Sequence, residues 1–402
     1  MTQSIRSSKI SKAKTIKSTV MHVAVLAVMS TAVIGCNRGI KPVVNDPVKL
    51  VQIAEPISVL QPVFSTDIGN KKASKKDPLD LQVGYVNGQI VTASRGGDLT
   101  GFNSAGERLW SINVGDQITG GVALDALSQT AIISTRGGQV MAFDSATGAK
   151  RWQKQLSGSV LTPALITNNR VILSANDGFL HGLSLQTGQS VWQFATQVPA
   201  ISVRGSAAPT LLDSKTALLA TADGRLHAVT TDSGLPQWSR RVGIGTGSSE
   251  VERMSDVDGT PIVDKNQLFA ISYSGQLLGI DLASRQVMFV NELASLKSLA
   301  VNNQQVIGTS LEGKVVAYNR SNGEVLWESE ELAYRHLTNP VMIGNYIAVG
   351  DFDGVVHLFD PASGKIVSRV QTKGALSSLQ VQGSRLMTQS TSGQVAIWQL
   401  AR

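Results

Sequence analysis

Residues 171–194, VILSANDGFLHGLSLQTGQSVWQF, contain the pattern that decides the fold of this chain of 402 residues. An apolar run is followed by a turn with glycine, a second apolar run, a second turn that ends in glycine, and a third run. The same order recurs in AIISTRGGQVMAFDSATGAKRWQK (131–154) and in IAVGDFDGVVHLFDPASGKIVSRV (347–370). Glycine in a tight turn allows the positive φ that hairpins need. Each copy therefore predicts three short antiparallel strands.

The first-turn glycine recurs eight times, at intervals of 38 to 51 residues. These glycines are Gly97, Gly138, Gly178, Gly224, Gly275, Gly313, Gly354 and Gly393. A fourth apolar run precedes each copy, and four short strands in about 40 residues are typical of a propeller blade. The sequence predicts an all-β, eight-bladed propeller with four antiparallel strands per blade, like the repeats of the PQQ dehydrogenases.

The ring is predicted to close through its N-terminal strand. The eighth copy, RLMTQSTSGQVAIWQLAR (385–402), ends after its third strand, whereas VFSTDIG (63–69) parallels LWSINVG (109–115). Phe64 then occupies the outer-strand position that is mostly aromatic in the other blades. That position holds Trp110, Trp152, Trp192, Trp238, Phe289, Trp327 and Ser368 in blades 1 to 7.

The N-terminus has the features of a lipoprotein signal. Five basic residues and no acidic residue occur in the first 20, and a mostly apolar run then ends at Cys36, the only cysteine. The run is short for a membrane span but suits a signal-peptide core. Val33–Ile34–Gly35–Cys36 resembles the bacterial lipobox, which implies lipidation of Cys36. We predict a signal peptide over 1–35, a lipidated tether over 36–60 and the propeller over 61–402. Asn37 favours the outer membrane, with the protein on its periplasmic face.

Neither the net charge nor the positions of the histidines indicate a nucleic-acid or metal ligand. The net charge is +7, but the five basic residues of the signal leave +2 for the rest, which gives little support for nucleic-acid binding. His181, His227 and His357 occupy the same position in three blades, so they are not expected to converge on a metal. No nucleic acid, metal or cofactor is predicted as a ligand, and no catalytic residue is assigned.

Two connections between blades are longer than the others. They are TQVPAISVRGSAAP (196–209) and VGIGTGSSEVERMSDVDGTP (242–261), and extra loop length on a rigid scaffold often carries binding function. Arg204, with Ile201 and Val203 beside it, has the composition of an interface anchor. The alternative, that Arg204 pairs with Asp256 or Asp258 inside the chain, stays open. The stretch GIGTGS (243–248) lacks the strand, helix and lysine context of a phosphate loop and is interpreted as a flexible loop.

The lipobox, the eight blades and the outer-strand tryptophans together resemble the BamB family, the propeller lipoproteins of the outer-membrane β-barrel assembly machinery. The motifs SVRG (202–205) and SDVDGTP (255–261) match the loops with which that family contacts the periplasmic POTRA region of BamA. The resemblance implies Ile201, Val203, Arg204, Asp256 and Asp258 as partner-binding positions. It also implies a non-enzymatic scaffold that assists the folding and insertion of outer-membrane proteins. Direct binding of unfolded outer-membrane proteins is left open.

Two alternatives come from the same fold. Quinoprotein dehydrogenases that use pyrroloquinoline quinone are also eight-bladed, and a propeller by itself does not determine function. They use a vicinal disulfide and a calcium-bound quinone, whereas this chain has one cysteine and no clustered set of acid, Asn and Lys. The second alternative is a periplasmic propeller that binds glycan or peptide in its central channel.

Overall fold

The structure, a computed structural model, describes residues 45–69, 81–202, 207–245, 248–249 and 252–401. The predicted lipidation site Cys36 and the predicted partner-binding residues Val203 and Arg204 lie outside these ranges. Within them, no helix has the length and apolar character required to cross a bilayer.

The described residues form 32 strands in eight sheets of four strands each. Blades 1 and 2 contain β2 (Gly84–Val86), β3 (Gln89–Ala93), β4 (Asp98–Phe102), β5 (Arg108–Asn113), β6 (Ile118–Asp125), β7 (Thr130–Thr135), β8 (Gln139–Asp144) and β9 (Lys150–Gln155). Blades 3 and 4 contain β10 (Leu165–Thr167), β11 (Arg170–Ser174), β12 (Phe179–Ser184), β13 (Ser190–Ala195), β14 (Thr210–Asp213), β15 (Thr216–Ala220), β16 (Arg225–Thr230) and β17 (Pro236–Arg241). Blades 5 and 6 contain β18 (Ile262–Asp264), β19 (Gln267–Ile271), β20 (Gln276–Asp281), β21 (Gln286–Glu292), β22 (Ala300–Val301), β23 (Gln305–Thr309), β24 (Val315–Asn319) and β25 (Val325–Ser329). Blades 7 and 8 contain β26 (Val341–Ile343), β27 (Tyr346–Gly350), β28 (Val355–Phe359), β29 (Ile366–Gln371), β30 (Leu376–Gln382), β31 (Arg385–Ser390), β32 (Gln394–Leu400) and, from the N-terminal side, β1 (Leu60–Asp67).

The eighth sheet has the order β1-β32-β31-β30, so the first strand of the chain completes the last blade. Phe64 lies opposite Ile397, as Trp152 lies opposite Ala142 in blade 2. The eight-bladed architecture and its closure by the N-terminal strand are therefore confirmed. Because β1 pairs with β32, the third strand of blade 8 is not left as an exposed edge.

Apolar side chains fill the space between neighbouring sheets. One buried cluster joins Ile132 of blade 2 to Leu173 of blade 3, and another joins Phe269 of blade 5 to Val306 of blade 6. Sheets that are covered on both faces have apolar residues on both faces of a strand. This explains the nearly continuous apolar third strands of the repeat.

In four blades the outer-strand tryptophan donates a hydrogen bond to the next blade. The Nε1 of Trp152 donates to the carbonyl of Leu185, and the indole ring lies under Gly188 of blade 3. A Cβ at Gly188 would stand 2.5 Å from that ring, and the glycine has φ of +69°. Glycine is therefore required there both by the close approach and by the backbone conformation.

Residues 45–59 lie against the propeller ahead of β1. The amide of Val48 donates to the carbonyl of Ala333 in the connection after blade 6, and the amide of Ile57 donates to Val367 of blade 7, both at 3.0 Å. Leu50 and Ile53 pack on the buried cluster shared by these two blades. The C-terminal part of the predicted 36–60 tether is thus a segment packed on blades 6 and 7.

Candidate functional site

The described parts of the two long connections belong to consecutive blades and lie at the same end of the propeller. Residues 196–209 join β13 to β14 and residues 242–261 join β17 to β18, so they are consecutive connections of the same type. Their described parts expose apolar side chains at Val198, Ile201 and Ile244, and Ile201 is 44% exposed. Exposed apolar side chains on the connections of consecutive blades are candidate contacts for a protein partner.

The glycines of the 243–248 stretch allow the second connection to fold back on itself. A Cβ at Gly243 would stand 2.0 Å from the carbonyl oxygen of Ser255, and one at Gly245 would stand 2.1 Å from that of Arg253. Only glycine permits two backbone segments to come this close. Packing within the loop therefore accounts for these two glycines, and no phosphate-binding role is needed to explain them.

Side-chain and backbone hydrogen bonds join the described residues in the middle of this connection. Both Ser248 and Ser249 donate their amides to the carboxylate of Glu252, at 2.9 and 3.0 Å. These backbone hydrogen bonds, that of Ser249 first, hold the pKa of Glu252 below its usual value. Arg253 in turn donates from Nη2 to the carbonyl of Ser248 at 2.9 Å.

Asp256 and Asp258 lie inside the propeller. Their exposures are 0% and 4%, and Val257 between them is fully buried in a cluster with residues of blades 4 and 5. The amide of Tyr273 donates to the carbonyl of Asp256 at 2.8 Å. In blade 7 the amide of Phe352 makes the same hydrogen bond to the carbonyl of Arg335. Arg335 is therefore the equivalent of Asp256, and it is a buried charge that pairs within the chain.

The burial of these two aspartates was not foreseen from the sequence. An apolar residue between them, Val257, five residues before the inner strand β18, is the sequence signal that could have indicated it. Both side chains are buried from solvent in this arrangement. Their participation in partner binding stays a prediction, as do the roles of Val203 and Arg204, which fall outside the described residues.

A small cavity lies on the propeller axis and is lined by residues that precede or begin the inner strands of several blades. Its volume is about 60 Å³, and its lining includes Asp258, Thr260, Thr162, Asn339 and Ser378. Sites that enclose drug-sized ligands are usually about 300–1,000 Å³. This cavity therefore gives little support to the alternative in which a glycan or peptide binds in the channel.

The three histidines of the shared repeat position are buried in separate blades, opposite Leu173, Leu219 and Val349 on the neighbouring strands. Burial lowers the pKa of His181, His227 and His357 below the ordinary value. Among the described residues, no three potential ligands are grouped so as to hold a metal ion.

Comparison with known proteins indicates the family. Residues 95–329 match the family model described as outer membrane protein assembly factor BamB. The crystal structure of BamB from Moraxella catarrhalis is 47% identical, covers 85% of this chain and 100% of its own, and superposes with a TM-score of 0.80. Outer membrane protein assembly factor BamB of Escherichia coli K12 is 28% identical over 329 residues, which cover 79% of this chain and 83% of that protein.

A quinohemoprotein alcohol dehydrogenase from Pseudomonas putida HK5 has the same fold. It superposes with a TM-score of 0.65 at 11% identity, covering 88% of this chain and 78% of its own. A likeness at this level of identity concerns the propeller architecture alone.

Proposed function

This chain belongs to the family of the outer membrane protein assembly factor BamB, and we propose from that premise that it is a non-enzymatic scaffold subunit of the outer-membrane β-barrel assembly (BAM) complex. In this role it binds the periplasmic POTRA region of BamA and assists the folding and insertion of outer-membrane proteins. The observation that carries the proposal is the match to the BamB family across the propeller, with two long neighbouring connections at one end of the ring.

We assign different roles to the predicted binding residues according to their burial. Ile201 is exposed and supplies an apolar contact. Val203 and Arg204, which follow it in the sequence, are assigned as further contacts. Asp256 and Asp258 are buried, so they act on binding by fixing the second connection in place. Buried carboxylates are stable only when charged or hydrogen-bonding groups satisfy them, so their replacement would disturb the loop around them.

The binding test uses the full chain and the purified POTRA region of BamA from the same bacterium, measured by biolayer interferometry. Two single variants, Ile201→Glu and Arg204→Glu, are each expected to weaken binding at least about tenfold, since 1.4 kcal/mol corresponds to a factor of ten. The matched control is Val325→Glu, which replaces a similarly exposed apolar residue on the outer strand of blade 6. Its affinity should stay that of the unmodified chain.

Circular dichroism and thermal melting of every variant separate a lost contact from a lost fold. If folded Ile201→Glu and Arg204→Glu both bind as well as the control, these connections do not form the interface. If the unmodified chain itself fails to bind the POTRA region, the proposed function is wrong.

The second part of the proposal is attachment to the outer membrane through lipid on Cys36, with the propeller in the periplasm. Two or more acyl chains give a firm anchor because each buried methylene contributes about 0.8 kcal/mol. In the test, residues 1–36 are replaced by a signal peptide that is cleaved without lipidation. The altered protein should appear folded in the soluble periplasmic fraction. Its retention in the outer membrane of cells that lack BamA would contradict the lipid anchor.

A further inference from the structure

The junction between blades 4 and 5 departs from the pattern of the other tryptophan-bearing junctions. In four blades the indole donates to a backbone carbonyl in the next blade, at 2.7–3.0 Å; the donors are Trp110, Trp152, Trp192 and Trp327. The equivalent acceptor for Trp238 would be the carbonyl of Leu282. Within the described residues, the indole N–H of Trp238 has no hydrogen-bond acceptor.

Arg285 accounts for this difference. It stands at the turn position that is glycine in the blades following the other four tryptophans, and it adopts φ of +59°. At Gly188 and Gly234, an added Cβ would lie 2.5 Å from the tryptophan ring of the preceding blade. A turn with a side chain at this position cannot close onto the ring in the same way. The result is a cavity of about 450 Å³ between the two blades, partly open to solvent.

The cavity has an apolar floor and a basic rim. Trp238, Leu212, Ile280 and Leu282 contribute the apolar lining; Arg240, Lys265 and Arg285 contribute three positive charges, against one acid, Asp213. Among the described residues, none of the three cations forms an ion pair, and Lys265 contacts the neutral amide oxygen of Asn303 at 2.9 Å.

Two of these cations lie in hairpin turns with positive φ. Lys265 has φ of +56°, so both Lys265 and Arg285 are long side chains in a conformation that favours glycine or asparagine. The hairpin turns between β18 and β19 and between β20 and β21 account for these positive φ values.

The cavity lies at the other end of the ring from the two long connections. It is bordered by the turns between β18 and β19 and between β20 and β21, whereas the connections join outer strands to the next inner strands. It also adjoins β17, the outermost strand of its sheet, whose outer edge is unpaired in the described part of the chain. An extended segment could lie along that edge and insert one side chain into the cavity.

We propose that this cavity binds a segment of a protein partner that presents an aromatic side chain flanked by carboxylates. The aromatic ring packs on Trp238 and the apolar floor, and the carboxylates pair with Arg240, Lys265 and Arg285. This site goes beyond the proposed BamA contact and does not depend on it, since the residues and the end of the ring are different.

The test titrates the full chain, by isothermal calorimetry at low salt, with three probes: the peptides Ac-Gly-Asp-Phe-Asp-Gly-NH₂ and Ac-Gly-Asn-Phe-Asn-Gly-NH₂, and sodium benzoate. The acidic peptide should bind, and the neutral peptide and benzoate should each bind at least about tenfold more weakly. The substitution Arg285→Gly restores the turn glycine. It should close the cavity, abolish binding and raise the melting temperature as Trp238 gains its acceptor.

Two further variants keep the result interpretable. Arg285→Asn removes the charge, and asparagine tolerates the positive φ. This variant should therefore bind the acidic peptide more weakly without a rise in melting temperature. Lys365→Gln removes an exposed cation from the corresponding turn of blade 7 and should leave binding unchanged. Absence of binding by the acidic peptide, equal binding of the two peptides, or benzoate binding as tightly as the acidic peptide would each overturn the proposal.

Discussion

The indole Nε1 of Trp152 lies 2.7 Å from the carbonyl oxygen of Leu185, 33 residues later and one blade further round the ring. Both groups are buried from water by the neighbouring turn. A buried carbonyl without a donor costs about 1–3 kcal/mol, so this hydrogen bond matters more for what its loss leaves behind than for its own strength. The four tryptophans that make this bond are therefore similar links between consecutive sheets.

We predict that Trp152→Phe lowers the free energy of unfolding by roughly 1–2 kcal/mol, because the aromatic packing is kept while the carbonyl of Leu185 loses its donor. Trp238→Phe is the matched control, since the indole N–H of Trp238 has no acceptor among the described residues. Its effect should be below about 0.5 kcal/mol. Urea denaturation followed by circular dichroism measures both, and equal losses for the two variants would contradict the link.

The repeat made the fold predictable from sequence, because the features that define a blade are local. Gly178, Gly188 and Trp192 occur within 15 residues, and their spacing alone fixes the turns and the outer strand. The match of Phe64 to the tryptophan position also predicted ring closure, although its strand partner is more than 300 residues away.

The placement of Asp256, Asp258 and residues 45–59 could not be predicted in this way. A motif shows which residues occur together, but burial of Asp256 depends on how the connection packs beside Tyr273 in the following turn. The segment 45–59 has no strand periodicity, and its contacts, such as Arg335 Nη1 to the carbonyl of Val48 at 3.1 Å, span 287 residues. Arg285, in contrast, is a departure from glycine that the repeat itself displays, but the cavity beside it is evident only from the structure.

Docking of the N-terminal segment should contribute to stability separately from ring closure. We compare three chains that begin at residues 45, 60 and 70. The second lacks the segment packed on blades 6 and 7 and should melt at a lower temperature than the first. The third also lacks β1, which leaves β32 as an exposed edge, and it should lose cooperative unfolding. Indistinguishable melting of the first two chains would show that docking adds no stability.

A buried charge network in blade 7 holds that segment. Arg335 pairs with Asp351 at 2.7 Å, and His357 Nε2 lies 3.0 Å from the same carboxylate. Burial acts to raise the pKa of Asp351, but the hydrogen bonds from His357, Val355 and Arg335 together hold it below its usual value. Because Arg369 Nε can only donate to His357 Nδ1, the imidazole carries its proton on Nε2 and donates it to Asp351.

We predict that Arg335→Met destabilises the protein by about 3–5 kcal/mol, because it removes the main counter-charge of a fully buried carboxylate. It should also speed proteolysis within residues 45–59, since the guanidinium no longer holds the carbonyl of Val48. The control is Arg225→Met, which breaks a looser, partly exposed pair with Asp223 at 3.8 Å and should cost less than about 1 kcal/mol. Equal costs for the two variants would contradict a structural role for the network.

Stability should fall as the pH is lowered from 7 to 5. Burial lowers the folded-state pKa of His181, His227 and His357 below about 6.5, the value in an unfolded chain. Below that pH the unfolded chain binds protons that the folded chain does not, so stability is lost with acidification.

The substitution His227→Leu tests this pH dependence, because the same repeat position holds Leu278 in blade 5 and Met141 in blade 2. The variant should lose stability less steeply than the unmodified chain between pH 6.5 and 5, by at most about 1.4 kcal/mol per pH unit. Urea midpoints across the pH range provide the measurement. If the His227→Leu curve also runs parallel to that of the unmodified chain, the buried histidine does not cause the acid sensitivity.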